Sequence, residues 1–259
     1  MTSSGRILAL LPALALGLVA YAAEGQRVDL VSHTALRVCA DAANMPFSND
    51  KGEGFENKIA DIVAGDLKLP VEYFWFPQAT GFIRNTLFAK RCDVVMGYAQ
   101  GDDLVLNTNP YYRSTYVLVY RRGAGLDGVE TLGDPRLAEK RLGIIAGTPP
   151  SGLMLRLGLM QRAKPYPLLV DRRYDSPGER MIADIRSGEI DAGVLWGPIA
   201  GYYAARGGEP LLVVPLVKET GEPRLVDNLC TVAARPMPEL RTYLTYIRCG
   251  RRRRVPLHA

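Results

Sequence analysis

Residues 54–76 read GFENKIADIVAGDLKLPVEYFWF, and this stretch decides the predicted fold. Apolar side chains recur at i, i+4, i+7, i+8 and i+12, which is the pattern of one helix face: Phe55, Ile59, Ile62, Val63 and Leu67. The apolar and aromatic run at 71–76 is typical of a strand. With the strand-like run LRVCA at 36–40, these segments predict a βαβ unit with parallel strands.

The same alternation continues along the chain. A helix is predicted at 81–89, a strand at 92–97 and a long extended run at 111–120, before a Gly- and Asp-rich stretch at 123–137. A second α/β series follows, with predicted strands at 141–146, 166–170, 190–196, 211–217 and 226–234, and predicted helices that begin near 149 and span 178–187, 199–205 and 239–247. Two such series joined by extended segments predict two lobes around a cleft, with ligand contacts in loops at the carboxyl ends of the strands.

Composition and charge limit the possible functions. The chain has 259 residues, 47% of them hydrophobic, which is ordinary globular composition. Its net charge of +5 is accounted for by Arg6, Arg248 and the run at 251–254, so the body between the ends is close to neutral. A near-neutral body argues against a nucleic-acid-binding surface. We interpret residues 248–259 as a solvated basic tail.

The first residues resemble a secretory signal. Arg6 precedes an almost unbroken apolar run at 7–19, and Ala20-Tyr21-Ala22 supplies an A-x-A cleavage pattern. The alternative is a membrane anchor, but this run is shorter than the roughly 20 residues that span a bilayer. We therefore expect residues 1–22 to be a signal peptide, the mature protein to lie in the periplasm, and no stable membrane insertion.

Export makes the four cysteines candidates for disulfide bonds, because disulfides persist outside the cytoplasm. Cys39, Cys92, Cys230 and Cys249 contain no C-x-x-C spacing, which argues against a thioredoxin motif or a zinc site. Cys39 and Cys92 both lie in strand-like runs, so their pairing is favoured. Two buried free thiols remain the alternative.

Enzyme motifs are missing from the sequence. Neither of the phosphate-binding glycine motifs, G-x-x-x-x-G-K-[ST] and G-x-G-x-x-G, opens a helix. The motifs H-E-x-x-H and G-x-S-x-G do not occur either. The chain has two histidines, His33 and His258, and both lie near its ends. The adjacent Asp102 and Asp103 lack the spacing of a calcium loop. We therefore predict no enzyme activity, no cofactor and no metal site.

Long runs of the sequence resemble a known family. The segments LRVCAD, GFENKIADIVAGDLKLPVEYFWFPQ, RCDVVMG and NPYYRSTYVLVYRR are similar to the first lobe of the extracellular solute-binding proteins of family 3. They look most like its quinoprotein-dehydrogenase-associated branch, the MoxJ/XoxJ type, as does the later run SPGERMIADIRSGEIDAGVLWGPIAGYYAARGG. The resemblance covers roughly 36–217 and implies a type II periplasmic-binding-protein fold, with two α/β lobes, a hinge and an interlobe cleft.

The sequence departs from the amino-acid binders of this fold at two places. Where they usually carry an arginine for the ligand carboxylate, this chain has Gly101, and where they carry an aspartate for the ligand amine it has Trp196. The loss of a bidentate guanidinium and of a carboxylate acceptor disfavours amino-acid binding. We expect few charges to converge in the cleft.

The predicted cleft residues are aromatic and polar side chains in or beside loops at strand ends: Asn44, Phe47, Arg84, Tyr98, Tyr111, Thr148 and Trp196. An aromatic cleft with few charges suits an apolar or flat ligand, or an element of a partner protein. Each aromatic ring has the alternative of packing between the lobes, and Arg84 has that of a surface residue. Gly147 and Thr148 either cradle an anion at a helix start or cap the helix.

The resemblance implies a non-catalytic accessory protein of a methanol dehydrogenase that uses pyrroloquinoline quinone, acting in its assembly, activation or stabilisation. The dehydrogenase and its cytochrome c are the expected partners, with a small-molecule ligand as a further one. The rival function is the receptor of an ABC transporter for a small solute. We divide the chain into a linker at 23–35, a first lobe at 36–120 completed by 214–247, and a second lobe at 121–213. The hinge is expected near Val119 and Val214.

Overall fold

The computed structural model describes residues 34–172 and 174–233. The predicted signal peptide at 1–22, most of the predicted linker, the predicted helix at 239–247 and the basic tail at 248–259 lie outside the described residues. In chain order the elements are β1 (Leu36–Ala40), β2 (Ala43–Asn44), β3 (Ser48–Asn49), α1 (Phe55–Leu67), β4 (Val71–Trp75), α2 (Phe82–Asn85), β5 (Val94–Ala99), β6 (Leu106–Asn107), β7 (Tyr112–Arg121), β8 (Leu142–Ile145), α3 (Pro149–Arg156), β9 (Lys164–Tyr166), α4 (Pro177–Ser187), β10 (Ala192–Trp196), α5 (Gly197–Ala204), β11 (Leu211–Pro215) and β12 (Val226–Ala233).

The first lobe is built on the predicted βαβ unit. Strands β1 and β4 are parallel, with Leu36 opposite Val71, and β5 is parallel to β1 on the other side. The returning strand β12 is antiparallel to β5. It is also antiparallel to β7, and so connects β7 to the sheet of the first lobe. Helix α1 packs its buried face, which includes Ala60 and Val63, on this sheet and so closes a core with Leu36, Val38, Val94 and Met96.

The second lobe repeats the architecture. Strand β10 is parallel to β8, β8 is parallel to β9, and β7 and β11 complete the sheet with antiparallel pairings. One face packs against α4 and α5 around Met181, Ile185 and Ala200. The opposite face packs around Leu142, Ile144 and Met154. Both faces are therefore covered, as the nearly continuous apolar strands require.

Strand β7 belongs to both lobes. Tyr112 to Thr115 pair with β12 of the first lobe, and Tyr116 onward pair with β10 and β11 of the second. The backbone N–H of Tyr116 donates to Leu225, and its carbonyl accepts from Leu216. The change of partner therefore lies at Tyr116. The predicted hinge positions, Val119 and Val214, lie inside the second lobe's sheet, where Val119 pairs with Gly193 and Val213.

Helix α1 has the predicted limits, and Ile59, Val63 and Leu67 of the predicted face pack in the first-lobe core. Phe55 is 36% exposed and Ile62 is 59% exposed, whereas Glu56 and Asn57 are buried. The Oδ1 atom of Asn57 accepts hydrogen bonds from the backbone N–H groups of residues 49 and 54, which fixes the start of the helix. Two buried polar residues therefore lie beside the apolar face at the start of the helix, a feature that apolar spacing does not predict.

Two other elements differ from the predictions. Helix α2 ends after one turn because Thr86 leaves the helical conformation and its hydroxyl donates to the Phe82 carbonyl. Strand β9 spans Lys164–Tyr166 and does not extend to 170 as predicted.

The disulfide prediction is confirmed. Cys39 of β1 is bonded to Cys92, just before β5, with Cα atoms 5.5 Å apart. Both half-cystines are buried, and the bond joins neighbouring parallel strands behind the cleft. Cys230 is a buried free thiol. In the part of the chain that the structure describes, no helix is long and apolar enough to cross a membrane.

Candidate functional site

The cleft between the lobes is the candidate site, and it encloses about 310 Å³. The ends of β5 and β10 open into it from opposite sides, as expected for loops and strand ends in an α/β sheet. Its lining is Asn44, Phe47, Gln78, Gly97, Tyr98, Ala99, Tyr112, Asp227 and Leu229 from the first lobe, Tyr116 at the crossing, and Ile145, Thr148, Leu168, Arg172, Val194, Leu195, Trp196 and Ile199 from the second.

The structure brings together most of the residues that the sequence singled out. Asn44, Phe47, Tyr98, Thr148 and Trp196 all line the cleft. These residues lie at or just after strand ends or in the β2–β3 hairpin. The sequence predicted them in or beside loops.

Two predicted residues lie elsewhere. Arg84 is exposed on α2 and does not line the cleft, because the buried face of that short helix is formed by Phe82 and Ile83. Tyr111 does not line the cleft either: its hydroxyl donates to Glu56 at 2.9 Å. The next residue, Tyr112, lines the cleft instead. Successive side chains of an extended segment point to opposite faces, so a one-residue difference exchanges the two rings.

Aromatic rings from both lobes form one wall of the cleft. Phe47 stacks on Tyr112 with ring centroids 6.2 Å apart, and Trp196 meets Tyr116 edge to face at 5.1 Å. Burial raises the pKa of the Tyr112 hydroxyl, an effect that a hydrogen bond with Trp196 opposes. Trp196 is the last residue of β10 and immediately precedes α5, so the second lobe delivers its indole to the rings of the first.

Polar groups of the first lobe form a closed network. The Asp41 carboxylate accepts from the backbone N–H of Ala43 at 3.0 Å and of Gln78 at 2.8 Å. The Gln78 side chain accepts from Asn44 at 2.9 Å and donates to the Gly97 carbonyl at 3.3 Å. These groups bind one another, so they have little hydrogen-bonding capacity left for a ligand.

A buried carboxyl group lies directly behind Gly97. Glu56 is 5% exposed, and burial raises its pKa to about 7 despite the opposing hydrogen bond from Tyr111. Gly97 has φ of +65°, and a Cβ atom there would lie 2.1 Å from Oε1 of Glu56. A side chain at this position of β5 would collide with the carboxyl group, so only glycine fits there.

The second lobe contributes one positive charge that the sequence analysis missed. Arg172 lies in the loop between β9 and α4, is 13% exposed, and its Nε is 3.3 Å from Oδ2 of Asp41 in the other lobe. Arg172 and Asp227 are the two charged residues of the cleft lining, and burial raises the pKa of Asp227. Arg172 lies in an irregular loop, and Asp227 lies at the start of β12. Neither position has a sequence pattern that predicts a cleft residue.

The two departures from the amino-acid binders differ in their position. Trp196 lines the cleft, whereas Gly101 lies in the exposed loop after β5 and does not. Thr148 begins α3, but its hydroxyl donates to the Ile145 carbonyl at 2.6 Å and makes no capping bond to the helix. The two residues after it are prolines without N–H groups, which leaves a poor anion cradle.

The adjacent Asp102 and Asp103 lie in the loop between β5 and β6. The Asp102 carboxylate accepts from the Tyr98 hydroxyl at 2.9 Å and from the backbone N–H of Leu104 at 2.9 Å. Within residues 34–172 and 174–233, no group of three or more His, Cys, Asp or Glu side chains is arranged to hold a metal ion.

Comparisons with known proteins give consistent results. No family model matches the chain. The crystal structure of periplasmic binding protein XoxJ from Methylobacterium extorquens AM1 is 42% identical, with a TM-score of 0.68 over 82% of this chain and 90% of that one. The crystal structure of MxaJ from Methlophaga aminisulfidivorans MPT is 26% identical, with a TM-score of 0.69 over 83% of this chain and 92% of that one.

A curated relative agrees with these structures. Protein MoxJ from Methylorubrum extorquens strain AM1 is 32% identical over 195 residues, which are 71% of this chain. The chain spans 64% of the length of that relative. Amino-acid-binding proteins are also similar in structure, for example at 22% identity and a TM-score of 0.61, and they show the fold alone. The expected type II periplasmic-binding-protein fold is thus confirmed.

Proposed function

Since the chain belongs to the MoxJ/XoxJ family of periplasmic binding proteins, we propose that it is a non-catalytic accessory protein of a methanol dehydrogenase that uses pyrroloquinoline quinone. In this role it binds the dehydrogenase and assists its assembly, activation or stabilisation. A cytochrome c of the same system is a second proposed partner.

The aromatic wall of the cleft is the observation that carries this proposal. Rings of Phe47, Tyr112, Tyr116 and Trp196 lie together where the lobes meet. Aromatic side chains supply large contact areas at low cost in conformational entropy, and they dominate the binding energy of protein interfaces. We propose that an element of the dehydrogenase contacts this wall.

The positions of the charges support binding of something other than a free amino acid. Trp196 occupies the place of an amine-binding carboxylate, and Gly101 stands outside the cleft. The first-lobe carboxylate nearest to Arg172 is Asp41, which is fully buried and already accepts two backbone hydrogen bonds. The cleft therefore retains the shape of a solute receptor with a different set of contacts.

Movement of the lobes is the proposed mechanism. The change of strand partner at Tyr116 and the irregular return segment 216–225 are the proposed hinge, since few hydrogen bonds join the lobes there. Closing brings Trp196 and Arg172 towards the first lobe, and opening separates them. A partner that contacts the two arrangements differently shifts the balance between them.

The family implies a periplasmic location, and we propose residues 1–22 as the signal that directs export. In that compartment the Cys39–Cys92 bond is stable.

The proposal is tested by affinity capture from a periplasmic extract of a methanol-grown host, with the tagged chain as bait. We expect the dehydrogenase to be recovered, and a Trp196→Ala bait to recover much less of it. Recovery of permease subunits without dehydrogenase contradicts the proposal and supports a transport receptor.

A transport receptor is the second candidate because Arg172 lies in a cleft of small-ligand size. A receptor that binds a solute only in its native state is stabilised by RT ln(1 + [L]/Kd), so its thermal stability rises with the logarithm of ligand concentration above Kd.

A further inference from the structure

Arg172 is a partly buried charge whose Nε atom lacks a hydrogen bond. Its side chain is 13% exposed, and Asp41 is its ion-pair partner. The contact is made by Nε at 3.3 Å, but without the alignment of a hydrogen bond, so Nε is buried and unsatisfied. A charge removed from water is normally paired and hydrogen bonded, because unpaired burial is costly.

The Asp41 carboxylate has hydrogen-bond donors other than Arg172. Its carboxylate already accepts two backbone N–H groups, from Ala43 and Gln78, within the first lobe. Among residues 34–172 and 174–233, no acceptor is hydrogen bonded to the Nη atoms of Arg172. Arg172 lines the cleft, and a planar carboxylate is the group that matches the fork of its guanidinium.

The surfaces beside Arg172 are apolar and flat. Leu168 and Ile199 lie on its own lobe, and the rings of Tyr112, Tyr116 and Trp196 line the same cleft. The enclosed volume of about 310 Å³ is in the range of small-molecule sites. We propose that the cleft binds a small planar aromatic carboxylate, whose carboxylate lies on the Nη atoms of Arg172 and whose ring lies against the aromatic wall.

The position of Asp227 limits such a ligand to one carboxylate. Arg172 lines both the cleft and an adjoining recess, which also contains Met45 and Tyr203. Asp227 and Tyr116 line the cleft but not this recess. The Asp227 carboxyl group is close enough to Tyr116 to contribute to the rise in the pKa of that hydroxyl. A second ligand carboxylate near Tyr116 would face a like charge, which is unfavourable in a half-buried site.

The inference rests on the proposed function in one respect, namely that the cleft is the functional surface. It adds the chemical class of a ligand and the residue that recognises its charge. The ligand contacts both lobes, so its binding stabilises the closed arrangement.

The test is calorimetric titration of the isolated chain with benzoate and 2-naphthoate, and with the neutral amides of the same shape. We expect at least one acid to bind about tenfold or more tightly than its amide, since a hydrogen bond to a charged group contributes roughly that factor. Equal binding of acid and amide, or no binding of either acid at millimolar concentration, overturns the proposal. Failed capture of the dehydrogenase would leave this result unaffected, because no partner is present.

Variants identify the residue. Arg172→Gln is expected to reduce acid binding to the level of the amide, Arg172→Lys to give an intermediate value, and the exposed Arg84→Gln to bind as the unmodified chain does. Unchanged acid binding by a folded Arg172→Gln protein contradicts the assignment. If that variant does not fold, the acid and amide comparison and Arg172→Lys still decide. Naphthalene-2,6-dicarboxylate is expected to bind more weakly than 2-naphthoate, and tighter binding contradicts the single-carboxylate limit.

Discussion

The two walls of the cleft differ in what holds them. On the first lobe, Asp41, Asn44 and Gln78 are joined by hydrogen bonds, and the Cys39–Cys92 bond lies behind them. On the second lobe, the wall consists of Ile145, Leu168, Ile199 and Trp196, with the single guanidinium of Arg172.

The difference shows which wall is available for recognition. A polar group that is already paired within its own wall gains little by pairing with a ligand. The first-lobe wall is therefore a preorganised support, and its rings are its main contact surface. The second-lobe wall supplies the apolar area and the guanidinium of Arg172.

The strongest way to break this comparison is to remove the support. Replacing both Cys39 and Cys92 by alanine opens a loop with a sequence separation of 53 residues, and we expect the free energy of unfolding to fall by about 4 kcal/mol. Denaturant unfolding measures the loss, and reduction of the unmodified chain should reproduce it. A loss below about 1 kcal/mol would show that the first-lobe wall does not depend on the bond.

The buried carboxyl behind Gly97 gives the next effect. Its folded-state pKa of about 7 lies above the ordinary value of 4.5, so protonation favours the folded state. The stabilisation is complete below pH 4.5 and is lost as the pH rises through about 7. Glu56→Gln should therefore remove a fall of about 3 kcal/mol across this range and be the more stable form at pH 8.

The pH dependence of unfolding, measured in parallel for the exposed Glu72→Gln, tests this expectation. The control should keep the slope of the unmodified chain. A Glu56→Gln protein with that same slope would contradict the role given to the buried carboxyl.

A smaller effect is expected where the walls meet. In a double-mutant cycle of Arg172→Gln and Asp41→Asn, we expect a coupling of about 1 kcal/mol in the free energy of unfolding, because the pair joins the lobes without an aligned hydrogen bond. Additive single changes would mean that the ion pair does not hold the two walls together.

The sequence predicted the elements that depend on chain-local patterns. Strand β1 and helix α1 have the expected limits, and the disulfide was favoured because both cysteines lie in strand-like runs. Cleft positions at strand ends, such as Tyr98 and Trp196, followed from the general geometry of α/β sheets.

Tertiary contacts decided the rest. The burial of Asn57 at the start of α1 accompanies its two backbone hydrogen bonds, which apolar periodicity does not report. Whether Tyr111 or Tyr112 lines the cleft depends on strand register, because a shift of one residue turns every side chain to the opposite face. Arg172 lies in an irregular loop, and its approach to Asp41 arises from the packing of two lobes whose contact is distant in the chain.

The smallest predicted effect concerns Arg84. It is exposed and outside the cleft, so Arg84→Gln should change the free energy of unfolding by less than about 0.5 kcal/mol. Chemical denaturation alongside Arg172→Gln checks this, and an equal loss in both variants would erase the distinction between a surface arginine and a cleft arginine.

We propose that the aromatic cleft binds a methanol dehydrogenase. The most direct test is biolayer interferometry with the purified dehydrogenase immobilised and the unmodified, Trp196→Ala and Arg84→Gln chains in solution. We predict saturable binding of the unmodified chain and Arg84→Gln, and affinity at least about tenfold lower for Trp196→Ala. No binding by the unmodified chain, or equal affinity for all three, would contradict the claim.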